Sequence, residues 1–196
     1  MENKKQSKID ILKKLKTLGK SYFTIADFEK IFRLNKESLY VTLNRLVKSG
    51  ILRRLKRGIY EVIFSEGQME EIANQLYWPS YLSFETALAR YGIMSQIPYT
   101  LTFATSRKSK KIILGGIEIE YRQIKKELFW GYRLQNKVLI AEPEKALLDQ
   151  IYLFSLGKAS VNFEEWDFRQ LKKEKLFKFL KPYPKKIKEI IEKKIF

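Results

Sequence analysis

With neither cysteine nor histidine among its 196 residues, the chain has only carboxylates, lysines, tyrosines and hydroxyls with which to do chemistry. That excludes a disulfide frame, thiolate nucleophiles, thiolate- or imidazole-bound metals and any imidazole-based triad. The remaining catalytic candidates are Glu118 and Glu120, two apart on a strand and therefore on one face, as in the carboxylate pair of a metal-dependent nuclease, with Lys125 or Lys126 downstream. Spacing brings no further acidic residue to that pair, and the solvent face of an edge strand explains it as well. Gly115-Gly116 reads as a hairpin turn, and nothing matches a phosphate loop or a dinucleotide fingerprint. The expectation is a protein with no catalytic residue, no metal and no cofactor.

Binding chemistry is the better-supported expectation. Lys and Arg number 39 against 22 Asp and Glu, a formal net charge of +17, which points to nucleic acid, an anionic membrane surface or an acidic protein. Lysine outnumbers arginine 29 to 10, a compositional bias that tempers the argument. Residues 1–66 hold 16 basic and 7 acidic side chains (net +9), whereas the remaining residues hold 23 and 15 (net +8). The first third is thus the denser in charge, and it contains Asn44 and Arg45. Asn can pair bidentately with adenine and Arg with guanine, so these two are the expected base contacts. Tyr40 belongs with them, although phosphate is also within its reach. Lys36, Ser38, Lys48, Arg53, Arg54, Lys56 and Arg57 are expected to meet phosphates. A second basic run, Arg107, Lys108, Lys110 and Lys111, reads equally as a solvated turn or as a second DNA contact.

These side chains need a scaffold, and the first segment spells one out. Ile11, Leu12, Leu15 and Leu18 form one stripe of a helix over 8–18 that Gly19 ends. Thr24 with Asp27 three residues later has the form of a capping box opening a second helix, in which Ile25, Phe28, Ile31 and Phe32 share a face. After Arg33-Leu34, Asn35 caps a third helix that runs to Gly50 with Leu39, Leu43, Leu46 and Val47 inward. Lys36, Glu37, Tyr40, Val41, Asn44, Arg45 and Lys48 are left facing outward. Two strands, 51–55 and 59–63, turn around Lys56-Arg57-Gly58. Three helices with a short turn before the third, then a hairpin, make a winged helix-turn-helix, whose third helix enters the major groove. Winged helices also serve as protein-binding modules, but four basic residues among the five from Arg53 to Arg57 favour DNA.

Ser65, Glu66 and Gly67 separate this module, residues 1–66, from a second domain, residues 67–196. There Ser83 is expected to cap a helix ended by Gly92, with Ala87, Leu88 and Tyr91 inward. Strands are expected over 99–105, 116–121 and 137–141, and Pro143 opens a helix to Gly157. The tail from Phe163 reads as amphipathic helices broken by Pro182 and Pro184. The fold class is therefore α+β: an N-terminal winged helix-turn-helix followed by a mixed α+β domain ending in helices. Tyr77, Trp78, Tyr81, Phe84, Phe129, Trp130 and Tyr132 read as core rather than as a stacking surface. Glu85 and Glu144 read as structural charges, and Lys145 with Asp149 as an ordinary pair four residues apart on a helix. No segment is apolar for long enough to span a bilayer and the first residues lack a signal peptide's apolar stretch, so the expectation is a soluble, cytoplasmic protein without a membrane partner.

The run Pro79-Ser80-Tyr81-Leu82-Ser83-Phe84-Glu85-Thr86-Ala87-Leu88, then Tyr91-Gly92-Ile93, together with Ile140-Ala141-Glu142-Pro143-Glu144-Lys145-Ala146-Leu147-Leu148-Asp149, resembles the AbiEi-type antitoxins of abortive-infection systems. The resemblance covers nearly the whole chain, loosely after Gly157. It implies an antitoxin of a two-gene phage-defence operon. Its winged helix would repress its own promoter through inverted repeats in double-stranded operator DNA, and its C-terminal domain would counteract an AbiEii-type nucleotidyltransferase toxin. In that type IV arrangement the two proteins need not form a stable complex. Glu142 departs from the pattern, which more often has Thr, Ser or Ala there, so the helix opening at Pro143 needs another contact at its start. The alternative is a solitary winged-helix regulator whose C-terminal domain senses a ligand or binds a protein.

Overall fold

Ser7 and Asp10 close the first turn of α1 (Lys8–Thr17). The Asp10 N–H donates to Ser7 Oγ at 3.2 Å while the Asp10 carboxylate accepts the Ser7 N–H at 3.3 Å, a reciprocal capping box. In the computed structural model, which describes residues 7–63 and 69–195, this box is repeated at the next helix. After β1 (Phe23–Thr24), α2 (Ile25–Phe32) starts with Thr24 Oγ1 accepting the Asp27 N–H at 3.3 Å and Asp27 accepting the Thr24 N–H at 2.7 Å. Lys20 Nζ also donates to Asp27 at 2.6 Å. Burial pushes the Asp27 carboxyl up, but the bonds from Lys20 and Thr24 outweigh it and leave its pKa below the ordinary value. A lowered carboxyl pKa stabilises the fold fully above the unfolded value, and that share is lost as pH falls through the lowered one. Urea midpoints of wild type and Asp27→Asn should therefore differ at neutral pH and converge in acid. A difference that stays constant with pH would refute this role.

Arg33, with φ of 52°, turns the chain between α2 and α3 (Lys36–Lys48), whose first turn is capped by Asn35 accepting the Ser38 N–H at 2.9 Å. Leu39, Leu43 and Leu46 point inward to Leu15, Phe23 and Phe28, and the Phe28 ring meets those of Phe23, Phe32 and Tyr60 at centroid separations of 5.5, 5.8 and 5.7 Å. β2 (Leu52–Lys56) and β3 (Ile59–Val62) pair antiparallel around Gly58, whose φ of 78° suits a residue without Cβ. The winged helix-turn-helix order expected from the sequence is present. The sheet has three strands, in the order β1-β3-β2, where two were expected, because two-residue β1 is too short to show alternation.

Two compact units result: Met1–Ile72 with Leu114–Gly116, and Ala73–Ile113 with Ile117–Phe196. The Ser65–Gly67 separation falls outside the described residues. α4 (Met69–Leu76) leads to β4 (Ser80–Leu82), α5 (Phe84–Arg90), β5 (Leu101–Thr105), β6 (Lys110–Leu114) and β7 (Ile117–Gln123). β8 (Tyr132–Gln135), β9 (Val138–Ala141) and α6 (Pro143–Ser155) follow, then α7 (Lys173–Leu180) and α8 (Lys185–Lys194). The six-stranded sheet has the order β6-β7-β5-β4-β9-β8. It is mixed: β5 runs parallel to β7 and β4 to β9, while β4–β5 and β8–β9 are antiparallel. α6 packs on α5, α7 and α8, and every residue from Glu144 to Leu153 is buried.

Several local expectations change. Lys110 and Lys111 lie in β6 rather than in a loop, and the stretch from Phe163 to Gln170 forms two short 3-10 turns. Ser83 is the N-cap of α5, but its hydroxyl makes no capping bond; it donates to Asp149 at 2.8 Å instead. Lys145 and Asp149 pair four residues apart on α6, as their spacing indicates, but both are fully buried. Glu142 likewise makes no side-chain cap to α6; its carboxylate is ion-paired with Lys175 of α7. Among the described residues no helix is long and apolar enough to cross a membrane.

Candidate nucleic-acid interface

The face of α3 opposite Leu39, Leu43 and Leu46 carries Lys36, Ser38, Tyr40, Asn44, Arg45 and Lys48, all exposed. Every side chain assigned to base or phosphate on this helix is therefore in solvent. Val41, 49% exposed, adds an apolar group among them. The N-terminal end of α3, where backbone N–H groups point outward, lies beside Lys36 and adds a positive partial charge to that end.

The hairpin supplies the second half. A register shift between Arg54 and Lys56 breaks the strand's alternation at Leu55. Leu52 and Leu55 are thereby buried while Arg53, Arg54 and Lys56 stay exposed, with Arg57 exposed in the turn. The four basic side chains are not equivalent. Arg53 lies opposite Glu61 across the ladder and is ion-paired with its carboxylate, so its charge is largely offset. Among the described residues no ion pair engages Arg54, Lys56 or Arg57. Composition signals a wing of four cations, and among the described residues three of them have no acidic partner.

In the second unit Arg107, Lys108, Lys110 and Lys111 are exposed but differently engaged. Lys111 Nζ lies 3.3 Å from Glu120 and 3.6 Å from Glu118, and Glu120, then Glu118, raise its pKa. Glu120 also accepts from Arg122 at 2.8 Å, and Arg122 holds Glu85 at 2.7 Å. Glu118 and Glu120 share a face of β7, as their spacing indicates, but cations occupy them. Among the described residues no group of three His, Cys, Asp or Glu side chains could hold a metal ion.

The runs 79–93 and 140–149 meet inside the second unit. Tyr81 and Ser83 donate to Asp149 Oδ2 at 2.9 and 2.8 Å, Asp149 is ion-paired with Lys145, and Lys145 Nζ donates to the Tyr183 hydroxyl at 3.0 Å. Burial, then the charge of Asp149, pushes the Tyr81 and Tyr183 hydroxyls well above the usual phenol range. Burial also lowers the Lys145 pKa, with Asp149 opposing. Tyr81, Ser83, Lys145 and Asp149 have no exposed surface, so the cluster joins β4 and α5 to α6 and the tail rather than facing a substrate. Of the aromatic group, Tyr81 and Phe84 are core, whereas Trp78 is not.

A search of curated proteins finds no match to this chain. Residues 11–63, which span α2, α3 and the hairpin and most of α1, match the family described as transcriptional regulator, AbiEi antitoxin.

Proposed function

We propose that this protein is the DNA-binding autorepressor and antitoxin of a type IV, two-gene abortive-infection operon. Residues 1–66 bind the operator and residues 67–196 carry the antitoxin function against an AbiEii-type nucleotidyltransferase. The observation that carries the reading is the exposed polar face of α3, Tyr40, Asn44 and Arg45 flanked by Lys36, Ser38 and Lys48, in a region that matches AbiEi regulators. Two copies on an inverted repeat occlude the promoter, with α3 in the major groove and Arg54, Lys56 and Arg57 on the flanking phosphates. Arg53, tied to Glu61, contributes less. The segment from Arg107 to Lys111 is a second contact to nucleic acid. The protein works by binding and has no catalytic residue, metal or cofactor, and its place is the cytoplasm.

The test is a mobility-shift titration on the DNA upstream of the protein's own gene, with random competitor at two salt concentrations. A specific shift is expected, and co-expression should rescue cells from the nucleotidyltransferase of the same operon. Lys56→Ala should weaken specific and random DNA alike and reduce the salt slope by about one. Salt-sensitive binding without sequence preference would refute the repressor role, and failure to rescue would refute the antitoxin role.

A further inference from the structure

Trp78 is 61% exposed, a costly position for one of the largest apolar side chains. The backbone that carries it, and Tyr77 before it, are tied to a basic stretch. Arg107 Nη1 donates to the Trp78 carbonyl at 3.0 Å, and the same guanidinium lies 4.3 Å from the centroid of the Tyr77 ring. Lys110 Nζ is 5.2 Å from that ring, and the Tyr77 hydroxyl donates to the Lys108 carbonyl at 2.8 Å. The segment carrying the indole is thus fastened to the basic stretch that enters β6. Lys111, held by Glu118 and Glu120, is already compensated, whereas among the described residues no acidic side chain pairs with Arg107, Lys108 or Lys110.

An open indole on a segment fastened to a run of three cations that, among the described residues, have no acidic partner fits one class of ligand best. Duplex DNA offers phosphates, but its base faces are hidden in the stack. An acidic peptide offers charge without a planar partner. A single strand offers both, an unstacked base for the indole and phosphates for the cations.

We propose that Trp78, with Arg107, Lys108 and Lys110, binds single-stranded nucleic acid, the indole stacking on an unpaired base while the cations hold the flanking phosphates. This deepens the reading of Arg107 to Lys111 as a second nucleic-acid contact and does not depend on the winged helix.

The test uses the full chain and fluorescence anisotropy of labelled oligo-dT and oligo-rU strands and of a duplex of equal length. Trp78→Ala is expected to weaken strand binding about 5- to 150-fold and to leave duplex affinity within about twofold, while Trp78→Phe retains most of the strand affinity. Lys108→Ala with Lys110→Ala should weaken strand binding and flatten its salt dependence. Lys56→Ala with Arg57→Ala should lower duplex affinity and spare the strand. Because the indole is exposed, thermal melting of Trp78→Ala should match wild type. Unchanged strand binding in Trp78→Ala, equal losses on strand and duplex, or loss of the strand in the wing variant would each overturn the proposal. Polyglutamate that competes as well as the strand would overturn it too, by making the patch a general anion surface. If Lys108→Ala with Lys110→Ala changes neither nucleic acid, the underlying reading of a second contact falls as well; if only Trp78→Ala is silent, the stacking assignment alone falls.

Discussion

Asp149→Ala is expected to cost the second unit about 3–5 kcal/mol of stability. Asp149 is fully buried and accepts from Tyr81, Ser83, Tyr183 and Lys145, so its removal leaves an ammonium and three hydroxyls without their carboxylate, away from water. The cost arises from the uncompensated charge more than from a lost attraction, and this sets a second expectation. Replacing both partners by apolar residues, Lys145→Met with Asp149→Leu, should recover most of the loss, because an apolar pair leaves no charge to desolvate. Urea unfolding followed by tryptophan fluorescence isolates the effect, since Trp78, Trp130 and Trp166, all three tryptophans of the chain, lie in the second unit. A loss below about 1 kcal/mol would show that water reaches the pair, as surface pairs contribute no more than that. The stability of the first unit, whose core centres on Phe28 and Leu43, should be unaffected.

Arg45→Ala should weaken binding to the specific operator by about 1–3 kcal/mol, roughly 5- to 150-fold, and change affinity for random DNA much less. Arg45 is exposed on α3, and among the described residues no ion pair engages it, so its truncation removes no packing from the fold. The discrimination comes from its fork of donors, which matches the two acceptors on the major-groove edge of guanine. Lys in its place keeps the charge and loses the bidentate fit, so Arg45→Lys should retain random-DNA affinity while losing specificity. Titrations of each variant on operator and scrambled duplexes at one salt concentration separate the effects. Equal losses on both duplexes would move Arg45 from base edge to phosphate.

Signals carried by near neighbours along the chain were legible. Thr24 with Asp27 and Asn35 with Ser38 are contacts three residues apart, so their helices start where residue type alone places them. The inward Leu39, Leu43 and Leu46 follow the helical period, and subtracting them leaves Asn44 and Arg45 outward without knowledge of anything packed against them. Where expectation and structure part, a partner distant in sequence intervenes. Arg53 counts as a wing cation until Glu61 is placed opposite it across the ladder. Ser83 has the residue type of a cap, but Asp149, 66 positions away, claims its hydroxyl. The three-residue β4 and the two-residue β1 owe their strand conformation to neighbours that pair with them, and neither is long enough to show a period.

By itself, the sequence determined the winged-helix order, the outward set of α3, the basic balance and the absence of thiol and imidazole chemistry, because these depend on residue type and on spacing within one helix or hairpin. Only the tertiary structure decided which charges remain free. Lys145 and Asp149 have the spacing of a solvated pair, and they are sealed because α5, α7 and α8 pack around α6. Conversely, Trp78 has the residue type of a core side chain and stands in solvent. Burial is set by what arrives from elsewhere in the chain, and a charge or a ring has no fixed role until its surroundings set the local dielectric and supply its partners.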